Sequence, residues 1–234
     1  MTVNKIIRII FLCLAFAILF ACKKDKAAGI SDAQEVIDPL SMEVDLNILA
    51  LDGRIESGKN SAAFDWVTPF ETATGCKVKA TQLDNNELLA EKLEGNPYDL
   101  IIAADSSLPE NLFQTIDFSR IRSSKNLDKR FLGNSAVQKK IALPLHWKLI
   151  TPVPPSTELI TEVESTHLLA KAKNINCAYA WMEWSLSPKV QADIAAALDT
   201  IPVVPAACVG NELLGDDACS QRMADVPVNN VLNP

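Results

Sequence analysis

Residues 45–53 read Asp-Leu-Asn-Ile-Leu-Ala-Leu-Asp-Gly, an apolar run that is closed by a glycine. Hydrophobic side chains fall on both faces of this run, which is typical of a strand buried in a parallel sheet. Two more such runs follow at Cys76–Thr81 and Tyr98–Ala103, and helical patterns over Ser61–Thr74 and Asn85–Leu93 separate the three. The alternation predicts an α/β fold: a three-layer lobe with a mainly parallel sheet.

After residue 103 the sequence predicts one extended stretch and several helices. Ser107-Leu108-Pro109-Glu110 has the pattern of a capping box that opens a helix, and Lys140–Val153 is predicted to be extended. One later helix ends near Leu186, and another begins after Ser187-Pro188. We therefore expect a single α/β lobe over residues 45–219 and a C-terminal tail over 220–234.

The N-terminus has the pattern of an export signal. Lys5 and Arg8 precede the apolar run Ile9–Phe20, which is too short to span about 30 Å of hydrocarbon as a helix. Leu19-Phe20-Ala21-Cys22 resembles the lipidation box of bacterial lipoproteins, in which the cysteine takes a diacylglyceryl group. The alternative is an ordinary cleaved signal with an incidental cysteine. The sequence predicts a signal peptide over 1–21, a lipidated tether over 22–44, and a periplasmic protein anchored to a membrane through Cys22.

Charge and motifs exclude several classes of function. The chain has a formal net charge of −7, and removal of residues 1–21, which contain two basic and no acidic residues, leaves −9. Such a chain is not typical of nucleic-acid binding, which depends on Lys and Arg neutralising phosphates. The sequence has no G-x-S-x-G elbow, phosphate loop or H-E-x-x-H motif. We expect neither an enzyme nor a cofactor.

Four cysteines remain once the signal and the anchor are set aside: Cys76, Cys177, Cys208 and Cys219. An even number of cysteines outside the cytoplasm favours disulfides. Cys208 and Cys219 close a short loop and are predicted to pair. The spacing of the other two does not decide whether they pair. Because there is no C-x-x-C motif and the two histidines lack ligand spacing, no metal site is expected.

Acidic and polar residues follow the predicted strands. Ligands of open parallel sheets bind beyond the carboxyl ends of the strands, where helix N-termini also point. Glu162 and Glu164 flank Val163 and would project from one side of an extended segment. These side chains could meet a cationic solute, or they could be ordinary turn, cap and surface residues. The candidate ligand-binding residues are Asp52, Arg54, Asp105, Ser106, Glu162 and Glu164.

Two blocks of sequence resemble the extracellular solute-binding proteins of ABC importers, most of all the spermidine/putrescine-binding class. The first block holds the run Leu46–Gly53, the segments Asp65–Thr68 and Phe70–Val78, and Tyr98-Asp99-Leu100. The second block holds Cys177–Gln191 and Pro202–Pro205, followed by Cys208. The two blocks thus lie within residues 46–100 and 177–208 of the predicted mature chain.

The resemblance implies two α/β lobes with the solute in the cleft between them. In this chain Pro144–Trp147 resembles the exit to the second lobe and Leu149–Pro155 resembles the return, and the two are adjacent. The second lobe is therefore expected to be missing or reduced. By resemblance, Asp52, Ser106 and Glu164 would contact the solute. Arg54 stands where the family has part of an aromatic cage and is expected to repel a polyamine.

These features predict a lipid-anchored periplasmic component of an ABC transporter. It would bind a small cationic, polyamine-like solute and deliver it to an inner-membrane permease. The alternative is a single-lobe envelope lipoprotein that serves as an interaction or structural module and has lost solute transport.

Overall fold

The computed structural model describes residues 43–85, 87–95, 97–104, 108–150, 160–211, 214–215 and 219. The strands in this part of the chain are β1 Asp45–Leu51, β2 Lys77–Leu83, β3 Leu100–Ala104, β4 Leu143–Ile150, β5 Ile160–Leu168 and β6 Ile201–Pro202. The α-helices are α1 Val67–Thr74, α2 Glu87–Leu93, α3 Ser135–Gln138, α4 Ile175–Ser185 and α5 Pro188–Leu198. The predicted signal peptide with Cys22 and the predicted tail lie outside the described residues.

The strands form one sheet in the order β2-β1-β3-β5-β4-β6. β1 is parallel to both of its neighbours, β2 and β3, as the alternation of strand and helix predicts. The pairs β3–β5, β5–β4 and β4–β6 are antiparallel, so the sheet as a whole is mixed. Only nine residues, 151–159, separate β4 from β5. A connection of this length can join antiparallel neighbours but is too short for a parallel crossover.

The sheet is covered on both faces. Leu46, Ile48 and Ile102 point into the larger core, which also contains Phe70 of α1 and Trp181 of α4. The residues between them in β1 and β3 point the other way, into a smaller core that includes Leu89 of α2. The predicted three-layer α/β arrangement is confirmed, and the two-sided apolar pattern of β1 and β3 is its cause.

Two predicted helices differ from the structure. The helix predicted from Ser61 begins only at Val67, because residues before it form a loop in which Trp66 N–H donates to Glu56 O. The helix predicted after Ser107 is a single 3₁₀ turn, Glu110–Leu112, within the described residues. Phe113 then forms a bridge with Leu169, which draws the chain into an extended conformation.

Disulfides join two cysteine pairs. Cys76, just before β2, is bonded to Cys177 in the first turn of α4, with a Cα–Cα distance of 5.8 Å and a sequence separation of 101. This is the pairing that the sequence left open. Cys208 is bonded to Cys219 across 11 residues. Within the described residues, no helix combines the length and apolarity that a membrane crossing requires.

Candidate cation-binding edge of the sheet

The carboxyl ends of β1 and β3 meet at a common edge of the sheet. After β1, Asp52 N–H donates to Leu83 O at 2.9 Å, which holds the chain beside the end of β2. Gly53 then adopts a positive φ of 77°, so the chain turns and presents Arg54. Glu164 of β5 is paired with Ala104, the last residue of β3. The turn after β1 therefore faces a carboxylate held on a central strand.

Arg54 and Glu164 form a bidentate ion pair. Arg54 Nε donates to Glu164 Oε2 at 2.9 Å, and Arg54 Nη2 donates to Glu164 Oε1 at 2.5 Å. The third nitrogen, Nη1, donates to the backbone oxygen of Asp52 at 3.0 Å. All three nitrogens of the guanidinium thus have acceptors, and both carboxylate oxygens are bonded. Parallel bonds of this kind fix direction as well as charge.

A buried histidine lies against the same carboxylate. His146 of β4 stands opposite Glu164 in the β4–β5 register, and its Nε2 lies 3.1 Å from Glu164 Oε2. The two groups are in contact, but their alignment is too poor for a hydrogen bond. His146 Nδ1 is also buried, and no hydrogen-bond partner for it is found among the described residues. The carboxylate is therefore bounded by a guanidinium and an imidazole.

The ion pair changes the pKa of both of its members. Burial alone would raise the pKa of Glu164, but hydrogen bonding by Arg54 and the contact with His146 outweigh it and lower this pKa to about 2. The hydrogen bond to Glu164 raises the pKa of Arg54, and the nearby charges of Glu162 and Asp52 add to the effect. Both members stay charged at physiological pH.

Four of the candidate residues come together at this edge: Asp52, Arg54, Glu162 and Glu164. Asp52 is exposed and Glu162 is half-buried, and both act on Arg54 through their charges. Three carboxylates lie near the Arg54 guanidinium, and exposed Lys148 of β4 stands opposite Glu162 in the register. Leaving His146 aside, one negative charge remains in excess. Asp105 and Ser106 lie outside the described residues; they follow Ala104 in sequence.

His146 is the residue at this edge that the sequence did not predict. The sequence predicts its segment, Pro144–Trp147, only as the exit to a second lobe. Leu145 and Trp147 flank it and are themselves buried, so a lone histidine within a buried extended run was the available signal. Arg54 was expected to act by repelling a cation, whereas in the structure it neutralises Glu164.

Lowering the pH is expected to remove stability through Glu164. Its pKa lies below the ordinary value of 4.5, so the stabilisation is present above pH 4.5 and is lost as the pH falls towards 2. The shift corresponds to about 3 kcal/mol of unfolding free energy. Urea unfolding between pH 2 and 7 should show Glu164→Gln less stable than the wild type at pH 7 and about equal to it at pH 2. A difference that stays constant down to pH 2 would contradict this assignment.

Comparison with curated proteins gives a match to part of the chain. No family model matches the chain. A stretch of 92 residues is 36% identical to the putrescine-binding periplasmic protein PotF of Escherichia coli strain K12, covering 36% of this chain and 25% of PotF. The chain thus spans about a quarter of the length of this curated relative.

Solved structures share the fold. The substrate-binding protein PotD of a spermidine/putrescine ABC transporter from Streptococcus pneumoniae matches with a TM-score of 0.64 and 14% identity, over 82% of this chain and 92% of PotD. A protein of Listeria monocytogenes assigned to a spermidine/putrescine ABC transporter matches with a TM-score of 0.66 and 16% identity, over the same shares of the two chains. At these identities the structures establish the fold alone.

The fold is that of the periplasmic solute-binding proteins of ABC transporters. Within that class, the resemblance to the spermidine/putrescine-binding proteins that the sequence indicates is confirmed by the match to PotF. The nine residues between β4 and β5 are too few to form a second α/β lobe at that point.

Proposed function

We propose that the protein is a lipid-anchored periplasmic solute-binding component of an ABC importer and that its solute is a small polyamine-like cation. The observation that carries the proposal is the excess of carboxylates at the carboxyl edge of the sheet, where Asp52, Glu162 and Glu164 gather around Arg54. The names of PotF and PotD, which refer to putrescine and spermidine, support the class of solute.

A single lobe can bury only part of a bound solute, and this limits the affinity for the solute. Ligand sites commonly bury about 70–90% of a small ligand's surface, which closure of a second lobe would supply. With one lobe, a bound amine keeps a face in water, where an exposed ion pair contributes only about 0–1 kcal/mol. We expect the isolated chain to bind a diamine with a Kd in about the millimolar range. A partner such as the permease would supply the missing wall.

Anchoring to a membrane rests on the N-terminal sequence. The short apolar run and Leu19-Phe20-Ala21-Cys22 support export and acylation of Cys22. An acyl chain at this position would hold the lobe at a membrane of the cell envelope. Labelling of cells with radioactive palmitate tests the anchor: the wild type should take up label and Cys22→Ala should not.

One observation favours a second candidate function. Both oxygens of Glu164 are already bonded to Arg54, so this carboxylate is not free for a solute in the structure. A lobe whose buried carboxylate is permanently neutralised could serve as an envelope interaction module without transport. The two functions differ in whether a solute binds.

Thermal unfolding of the chain from Lys23 onward tests the proposal. Putrescine or spermidine at about ten times its Kd should add about 1.4 kcal/mol and raise the Tm by about 3–5 °C, whereas citrate at equal ionic strength should not. Asp52→Asn/Glu162→Gln should lose the shift. Glu91→Gln/Glu94→Gln removes the same charge from α2 and the turn that follows it, and this variant should keep the shift. A Tm that no polyamine moves would favour the interaction module.

A further inference from the structure

We infer that Arg54 is a tethered occupant of a cation subsite at Glu164, and that this subsite takes a guanidinium or primary ammonium group when the Arg54 side chain is withdrawn. The inference deepens the proposed function, on which it rests for the view that the natural solute is a cation. The inference specifies the chemical group that the subsite binds and names Arg54 as the residue that controls access to it. It also explains why the wild type would bind a cation weakly.

The contacts that Arg54 makes with Glu164 resemble those of a bound ligand more than those of a residue that holds the fold together. Its guanidinium meets Glu164 through two parallel bonds, the arrangement that a free alkylguanidinium would adopt. Arg54 projects from the turn after β1, whereas Glu164 is fixed on β5 between β3 and β4. The exposed fraction of the Arg54 side chain is 23%, against 8% for Glu164. The Arg54 side chain is thus the more solvent-accessible member of the pair, and a solute could replace it.

The subsite would remain intact without Arg54. Glu164 is held by pairing with Ala104 on one side and His146 on the other, independently of the turn that presents Arg54. His146 is nine-tenths buried or more, and its ring nitrogens lack well-aligned hydrogen-bond partners among the described residues. Removal of the guanidinium therefore leaves a buried carboxylate beside an unsatisfied polar ring, with the vacated space reaching solvent. A cation of matching size in the vacated space would neutralise the Glu164 carboxylate again.

Occupation by Arg54 lowers the affinity of the wild type for a cation. If the guanidinium fills the subsite most of the time, the apparent Kd of a competing cation is its intrinsic Kd divided by the fraction of molecules in which the subsite is open. Truncation of Arg54 sets that fraction to one. The expected consequence is a gain of binding in Arg54→Ala, the opposite of what loss of an ordinary contact residue produces.

Isothermal titration calorimetry with methylguanidine and with putrescine tests the inference on the chain from Lys23 onward. We expect Arg54→Ala to bind each probe at least tenfold more tightly than the wild type does. The double variant Arg54→Ala/Glu164→Gln should lose this gain, and Arg54→Lys, which keeps a tethered cation, should not show it. Equal affinities for the wild type and Arg54→Ala, or a gain that survives Glu164→Gln, would overturn the inference.

Folding of the variant provides a second readout. If Arg54→Ala unfolds at a lower temperature, 20 mM methylguanidine should restore its Tm by several degrees, and tetramethylammonium, which cannot donate hydrogen bonds, should not. If Arg54→Ala does not fold, Arg54→Gln takes its place; failure of methylguanidine to stabilise either variant would overturn the inference. The proposed function is tested separately, because polyamine binding by the wild type can fail while Arg54→Ala still binds methylguanidine.

Discussion

Replacing Cys76 and Cys177 by alanine is expected to lower the unfolding free energy by about 4.7 kcal/mol. The bond between them closes a loop of 101 residues, and the loss of chain entropy that a disulfide imposes on the unfolded state grows with loop length. Both side chains are fully buried, so the bond also joins the start of β2 to the first turn of α4 inside the core. Urea unfolding of the oxidised wild type and the double variant measures the difference.

The second disulfide provides the matched control. Cys208 and Cys219 are 11 residues apart, so their replacement by alanine should cost somewhat less than about 3 kcal/mol in the same model. The longer loop should therefore show the larger effect. A greater loss from Cys208→Ala/Cys219→Ala would contradict the view that loop closure dominates here.

Asp99→Ala is expected to destabilise the lobe by about 3–5 kcal/mol. The Asp99 carboxylate accepts five N–H bonds of 2.8–3.1 Å from the backbone and side chains of Asn47 and Asn174 and from the backbone of Lys173. Burial acts to raise the pKa of Asp99, but these donors outweigh it and hold the pKa below its ordinary value. Removal of the carboxylate would leave five partly buried donors without their acceptor between β1 and the start of α4.

The variant Asp99→Asn removes the negative charge of this side chain and keeps its volume, so it measures the effect of the charge alone. Every partner of Asp99 donates a hydrogen, so the NH₂ group of an asparagine would face donors on one side. The isosteric variant should lose more than half of what Asp99→Ala loses, measured by urea unfolding at pH 7. If Asp99→Asn were as stable as the wild type, the carboxylate would not be the element that ties β1 to α4.

The strength of local patterns decided how much of the fold could be predicted. Strands β1 and β3 could be predicted because each is a local run with apolar residues on both faces. The start of α5 could be predicted from the adjacent serine and proline, Ser187-Pro188. The antiparallel half of the sheet depends on β5 inserting between β3 and β4, an arrangement made by distant segments. The Cys76–Cys177 bond joins residues 101 apart, and no spacing rule selects such a pair.

The position of the candidate site could be predicted from the sequence, but the ion pair between Arg54 and Glu164 could not. Asp52 and Arg54 follow a strand, and strand ends are where an open sheet binds ligands. The bidentate bond from Arg54 to Glu164 spans 110 residues and depends on the turn at Gly53, so the charges alone suggested repulsion of a solute and not neutralisation of a carboxylate. The sequence does not assign His146 to the site, because a single histidine forms no motif.

Direct calorimetric titration of the chain from Lys23 onward with putrescine tests the central claim that the carboxylate edge binds a small cation. We predict saturable one-site binding with a Kd in about the millimolar range, weakened at least tenfold in Asp52→Asn/Glu162→Gln and unchanged in Glu91→Gln/Glu94→Gln. Absence of saturable heat with the wild type, or equal loss of binding in both double variants, would contradict the claim.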